Sequence, residues 1–396
     1  MVRSGLLAFA LALSLLFPPQ GNAAEGGRSV TDMRGKTVTV PLDPKRVVTI
    51  SDGFIEGVMT HLGVVEKIVG IGSWGLKRDY KYQFESVSGE RYEHQGWNTM
   101  KLLHPWLDDL PCANSPQGNV LNFETLAKAN PDLVLVRVGD CTVRADNMEA
   151  SEKTLATLEE LGIPVVATFS PTCFGGTDMS TMKTEMRILG EVFGQKEKAE
   201  KLADTLAAVE TLISTRTAGI AEEKKARLLY FGLNPATRKQ GGSGTVWGVD
   251  SPESYLIESV ANAKNAYTGK GKGVPMSAEQ VYALDPDVIV LPTVNGYHPP
   301  RELLDAPYYA NLAELGAVKA RRVYAMPWTP MNCARRLEYP LDMLIIAKAA
   351  YPEKFADITV YDYALQMYKT LYGVDDATAK KLASTQILDW MIDTGF

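Results

Sequence analysis

Apolar positions fall into two rhythms along this chain. Short unbroken runs of aliphatic residues alternate with stretches in which apolar residues recur every three or four positions. Runs at 46–50, 68–71, 133–136 and 165–168 read as buried strands, and a further β-segment is expected at 37–42. Helical spacing covers 54–62, 122–130 and 151–161, the first introduced by the turn and N-cap Ser51-Asp52-Gly53. Strands alternating with helices predict a parallel, doubly wound sheet. From 178 to 225 there are helix formers and no proline. Met186, Leu189, Val192, Ala199, Leu202, Leu206, Val209 and Leu212 keep helical spacing, which predicts one long helix. Strands return at 227–231, 288–291 and 323–326, and 337–396 reads as helices with an exposed aromatic-rich face. The expected fold is α/β: two doubly wound lobes, 25–177 and 226–396, joined by one long rigid helix over 178–225.

A repeat relates the two lobes. Residues 122–136 match 277–291, so that Glu124 aligns with Glu279, Pro131 with Pro286 and Asp132 with Asp287, all at an offset of 155. Each copy is a capped helix, a Pro-Asp turn and a buried strand. Any two αβ units could share the turn, but the glutamate at one register argues for a true repeat.

Composition narrows the class. The chain has 396 residues, 45% hydrophobic and 22% charged, which is globular and excludes both a multi-span membrane protein and a disordered chain. A formal charge of -6 gives no basic footprint for nucleic acid. At the N-terminus, Arg3, the apolar run 6–17, Pro18-Pro19 and the small residues 21–24 read as a cleavable secretory signal over 1–24. With no cysteine at the cleavage point, the expectation is a free periplasmic protein and not a lipid-tethered one.

The sequence carries no visible constellation for hydrolytic or redox catalysis. The segment 241–245 lacks the last glycine of a nucleophile elbow. The Gly269-Lys-Gly-Lys-Gly273 stretch has neither the spacing nor the ending of a phosphate loop and reads as a mobile surface turn. There is no zinc helix and no paired Cys-x-x-Cys, and the histidines, His61, His94, His104 and His298, are scattered. His61, inside a helix, reads as structural.

The order of parts then carries a resemblance. A signal segment precedes 30–41 and Pro44-Lys-Arg-Val-Val-Thr-Ile50, and the Asn122-Phe-Glu and Ser277-Ala-Glu-Gln copies flank the helical stretch. Over essentially the whole mature chain this resembles the ABC-transporter substrate-binding proteins for iron–siderophore, haem and cobalamin uptake. The resemblance implies a monomeric receptor with a ligand cleft between lobes, no enzymatic activity and no intrinsic cofactor. The bound ligand would be a metal chelate, iron–siderophore by default, with haem, cobalamin or a nickel/cobalt chelate as alternatives. It further implies that Glu124 and Glu279 meet arginines of the membrane permease, although each also suits the first turn of its helix.

Ligands of open α/β sheets sit beyond the carboxyl ends of strands. At those ends stand Ser51, Asp52, Trp74, Trp97, Arg137, Phe174, Asn234, Tyr297, His298, Trp328, Arg335 and Arg336. Arg137, Arg335 and Arg336 are the expected cations for an anionic chelate, and Trp74, Trp97, Tyr297 and Trp328 the aromatic walls. Tyr297 and His298 could complete a metal's coordination shell, or Val294–Pro300 could be an ordinary turn. Four cysteines allow three pairings; Cys112 with Cys141 would staple the first lobe, whereas Cys173 with Cys333 would cross the cleft and oppose opening. Two rival functions stay open: a chelatase-like secreted enzyme and a sensor domain.

Overall fold

The alternation of strands and helices produces two separate sheets. A computed structural model of the chain describes residues 26–114, 121–174, 178–233, 241–292, 300–328 and 336–396, apart from the side chains of Tyr80, Tyr82, His94 and Trp97. The expected signal segment, 1–24, lies outside them. Among the described residues no helix is long and apolar enough to cross a membrane.

The first lobe opens with an antiparallel hairpin, β1 (Gly27–Thr31) and β2 (Thr37–Pro41). It continues through β3 (Val47–Ile50), α1 (Phe54–Leu62) and β4 (Ile68–Ile71). A second hairpin follows, β5 (Asp79–Glu85) and β6 (Arg91–Trp97), then α2 (Thr99–Leu103), α3 (Phe123–Lys128), β7 (Leu133–Val138), α4 (Met148–Glu160) and β8 (Val165–Phe169). The sheet order is β4-β3-β7-β8, all parallel. Every residue of β3 and β7 is buried, as expected for strands covered on both faces. The β5–β6 hairpin has no counterpart in the apolar rhythm of the sequence.

The stretch 178–225 folds as two helices, α5 (Ser180–Val192) and α6 (Lys196–Thr217). The chain reverses at Phe193-Gly194-Gln195, so α5 packs back on α6, α1 and β1. The long connection is therefore α6 alone, 22 residues or roughly 33 Å. It packs against the second lobe, where Arg216 Nη2 pairs with Asp357 at 2.8 Å.

The second lobe contains β9 (Arg227–Gly232), β10 (Gly244–Val246) and α7 (Pro252–Ser254, running on as a π-helical stretch Tyr255–Val260). Next come β11 (Lys264–Asn265), β12 (Val274–Met276), α8 (Ala278–Leu284), β13 (Val288–Leu291), α9 (Pro300–Asp305), α10 (Gly316–Lys319) and β14 (Val323–Ala325). Its sheet runs β12-β10-β9-β13-β14, with β11 also on β9; β9, β11, β13 and β14 are parallel, and β10 runs antiparallel to both of its neighbours, β9 and β12. Four helices close the chain: α11 (Pro340–Ala350), α12 (Val360–Tyr372), α13 (Asp376–Thr385) and α14 (Trp390–Thr394). Their aromatic residues turn inward: Tyr351, Phe355, Tyr368, Trp390 and Phe396 are all buried. The aromatic face expected to be exposed is part of the core.

The lobes touch through more than α6. His61 on α1 pairs its Nδ1 with the Leu371 carbonyl of α12 at 2.9 Å, the structural role expected for it. Arg336 reaches Thr99 Oγ1 at 3.3 Å.

Candidate ligand-binding cleft

In the first sheet, β3 has β4 on one side and β7 on the other, so the strand order reverses between β3 and β7. This is the position at which open α/β sheets leave a crevice. The loops after the two strands are stitched together there. The Asp52 N–H donates to Asp140 Oδ2 at 3.0 Å. In return, the Asp52 carboxylate accepts from Thr142 N at 3.1 Å, from Thr142 Oγ1 at 3.0 Å and from the Ser73 hydroxyl.

Below this stitch lies Arg137, wholly buried. Its guanidinium grips Glu185 of α5 through Nε at 2.7 Å and Nη2 at 2.9 Å, donates to Asp140 Oδ1 at 2.9 Å through Nη1, and lies 4.1 Å from the Phe54 ring centre. One guanidinium thus serves two buried carboxyls. Burial pushes Glu185 above the usual carboxylate range and Asp140 up to about 8, against the pull of Arg137, and pushes Asp52 up against the hydrogen bonds from Ser73 and Thr142. Gly139 makes the crowding possible. Its φ of +94° suits glycine, and a Cβ there would meet Ser170 Oγ at 2.3 Å and Cys173 Sγ at 2.7 Å.

This framework presents the loop after β7 to a cavity of about 420 Å³ lined by Gly139, Asp140, Arg144, Ala145, Asp146 and Thr172 of the first lobe and Lys272 of the second. Arg144 is half exposed and bonds Asp146 through Nε at 3.0 Å, which lowers the Asp146 pKa; Lys272 lowers it further. Lys272 reaches this position because the Gly-Lys loop is ordered: Val249 N donates to Gly269 O at 2.9 Å, Gly248 N to Gly271 O at 2.8 Å and Gly271 N to Asp250 Oδ1 at 2.8 Å. The loop lies at the surface, with Lys270 and Lys272 exposed, and Lys272 also lines the cavity.

The residues singled out from the sequence separate into groups. Ser51 and Asp52 are buried supports; Ser51 Oγ accepts from Ile55 N at 3.2 Å. Arg137 is a buried brace and presents no surface to a ligand, because Glu185 encloses it from α5. Trp328 is 1% exposed, covered by the β5–β6 hairpin, so it is not a cleft wall. Arg336 is buried between lobes against Thr99, and Gln386, with its amide oriented to satisfy both ends, accepts from it at 2.9 Å. Trp74 is half-buried with Arg78 5.5 Å from its ring centre, and Phe174 is 42% exposed beside Phe169. Trp97 ends β6, its side chain outside the described set. Asn234, Tyr297, His298 and Arg335 lie outside the described residues. Among the described residues no group of three or more His, Cys, Asp or Glu is arranged to hold a metal. Arg144, Lys272 and Glu185 went unrecognised. Of these only Glu185, a charge on the apolar stripe of Met182, Met186 and Leu189, left a signal in the pattern.

The expected Cys112–Cys141 bridge does not form. Cys112 and Cys173 are free, whereas Cys141 is disulfide-bonded. Cys112 sits beside the end of β4 and Cys141 follows β7, with β3 between the two strands. Cys112 lies on the far edge of β4 from β3, and three strand spacings, about 14 Å, exceed what a disulfide can bridge. Cys112 Sγ points instead at the Asn114 carbonyl, at 3.3 Å.

The sequence profile of the periplasmic binding protein family matches residues 50–329. The chain belongs to that family. This periplasmic binding protein is 26% identical over 402 residues to the molybdate-binding protein MolA of Haemophilus influenzae, covering 95% of this chain and 99% of the relative. It is 22% identical to YvrC of Bacillus subtilis, an uncharacterised ABC transporter substrate-binding lipoprotein, over 90% of this chain and 99% of that one. In fold it is similar to a periplasmic solute-binding protein from Veillonella parvula, with a TM-score of 0.70 at 23% identity, covering 94% of this chain and all of that one. Such periplasmic binding proteins are solute receptors of ABC transporters and not enzymes.

Proposed function

We propose that the protein captures a metal-bearing anion between its lobes and delivers it to an ABC importer permease. The observation that carries this reading is the pairing of Arg144 from one lobe with Lys272 from the other across a single cavity. An anion seated there draws on both cations and ties the lobes together. A volume of about 420 Å³ lies within the range of small-molecule sites. The molybdate-binding relative, similar over nearly the whole chain, supports a metal-bearing anion.

The iron–siderophore expectation remains the second reading, favoured by the partly exposed Trp74, with Arg78 over its ring, and by Phe174. Asn234, Tyr297, His298 and Arg335 follow in sequence the carboxyl ends of β9, β13 and β14 and are proposed to complete the contacts, Tyr297 or His298 as metal ligands. Glu124 and Glu279, exposed in the first turns of α3 and α8, are proposed as the permease contacts. The 1–24 segment is proposed as a cleaved leader, leaving a free monomer.

Metal analysis of protein purified without denaturation, followed by calorimetric titration with molybdate and with ferric siderophores, tests the reading. We expect one of these to bind stoichiometrically, and Arg144→Ala or Lys272→Ala to weaken it by about tenfold or more. Binding unaffected by both substitutions, or binding of neither ligand class, overturns it.

A further inference from the structure

We propose that the β5–β6 hairpin is a strap that fastens the second lobe to the first and fixes the width of the cleft before any ligand arrives. Two-stranded hairpins are marginal by themselves, so the contacts around this one determine where it lies. Its strands pair without interruption from Asp79 opposite Trp97 to Glu85 opposite Arg91.

The root is anchored in the first lobe. Lys101 pairs with Asp79 at 2.9 Å, and Asn98, immediately after β6, donates from Nδ2 to the Asp52 carbonyl at 3.3 Å. The strap therefore starts from the same backbone that forms the cleft floor.

Beyond the root, its contacts are with the second lobe. At the tip, Ser86–Gly89 form a turn, Gly89 N to Ser86 O at 3.0 Å, and the Val87 N–H donates to the Asp305 carbonyl at the end of α9 at 2.8 Å. Midway, the Arg301 guanidinium of α9 stands 4.7 Å from the centre of the Tyr92 ring, while Asp393 of α14 holds the same guanidinium at 3.8 Å. Near the base, Gly96 lies so close to the Trp328 ring and the Thr385 carbonyl that a Cβ would come within 2.6 and 2.7 Å of them. A glycine is required there for the strand to lie flat on the indole.

These fastenings involve three separate parts of the second lobe: α9, the Trp328 segment and the end of α13. Rotating that lobe away from the first must break the Val87–Asp305 bond, unstack Arg301 from Tyr92 and slide Gly96 off Trp328. Opening is thus a discrete event and not a continuous breathing motion. The proposal concerns the lobes alone and stands whichever ligand the cleft holds.

Hydrogen exchange and small-angle scattering on the full chain test it. Val87 occupies the second position of its turn, where proline is favoured, so Val87→Pro removes the donor and keeps the hairpin. Combined with Arg301→Met, it is expected to speed exchange at α9 and across β5–β6 by about tenfold and to raise the radius of gyration, with β7 and β13 unchanged. Gly96→Ala, acting from the other end, is expected to do the same. Unchanged exchange at α9 with an unchanged scattering profile overturns the proposal. So does faster exchange spread evenly over both lobes, which would signal general destabilisation.

Discussion

Asp132 and Asp287, 155 residues apart in the chain, do the same work in the two lobes. The carboxylate of Asp132 accepts from the backbone N–H of Arg46 at 3.0 Å, and that of Asp287 from the N–H of Arg227 at 2.8 Å. Each arginine then turns its guanidinium onto the last carbonyls of the helix preceding the aspartate: Ala129 and Asn130 in one lobe, Leu284 and Asp285 in the other. The repeat is thus a structural joint that locks a helix end to the neighbouring strand. Asp132→Ala or Asp287→Ala is expected to cost about 1–2 kcal/mol in urea unfolding. A loss within error at both positions would mean the joint is incidental.

Glu124 and Glu279 share the same offset but have no such internal role. Among the described residues Glu124 forms an exposed pair with Lys128, and Glu279 bonds Ser277 in its own capping turn. The proposed permease contact would account for their recurrence. Charge reversal of both, Glu124→Lys with Glu279→Lys, is expected to leave thermal stability and ligand affinity unchanged while abolishing most ligand uptake in cells. Normal uptake would remove these residues from the docking face.

Arg137→Leu is expected to cost about 3–5 kcal/mol, because it strands the carboxyls of Glu185 and Asp140 inside the protein. Denaturant unfolding measures the loss. The double variant Arg137→Leu with Glu185→Leu should recover part of it. A mild single-variant effect, below 1 kcal/mol, would contradict the bracing role.

Glu56 sets a pH dependence. It is wholly buried in the first turn of α1, where Oε2 accepts from Gly53 N at 3.1 Å, and burial raises its pKa from 4.5 to about 7. The unfolded chain ionises this group from about pH 4.5 upward while the fold keeps it protonated to near neutrality. Glu56 therefore penalises the fold increasingly between pH 4.5 and 7, by about 3 kcal/mol at the upper end. Glu56→Gln should remove that slope, gaining most on the wild type at pH 8 and nothing at pH 4. Parallel stability curves for the two proteins would count against the assignment.

Thiol labelling reads the cysteine state directly. Alkylation of unfolded, unreduced protein is expected to modify Cys112 and Cys173, and Cys141 only after reduction. Modification of Cys141 without reductant would contradict its disulfide.

Short-range pattern was enough for much of this molecule. The strands 47–50, 68–71, 133–138, 165–169, 227–232 and 288–291 all lie at or next to their expected places, because a buried strand must be apolar along its own length. The repeat was legible for the same reason: cap, turn and strand are local features, and Asp132 and Asp287 needed only their own neighbourhoods. The break at Gly194 was harder to see, since helical spacing runs on almost undisturbed through the reversal.

What the sequence determined by itself was the class: alternating αβ units, one such unit repeated in each lobe and, through the family resemblance its motifs carry, a periplasmic binding protein. Only the tertiary structure decided what individual side chains do. Arg137 stands at a strand end, as a ligand cation should, yet Glu185 on α5 closes over it. Trp328 stands at another strand end, and a hairpin more than 200 residues away in the chain covers it. Lys272, in an unremarkable glycine loop, reaches the cavity instead. Periodicity reports how each segment buries its own face; it carries no record of which distant segment will arrive to cover a given charge or ring, and that arrival separates a cleft residue from a core one.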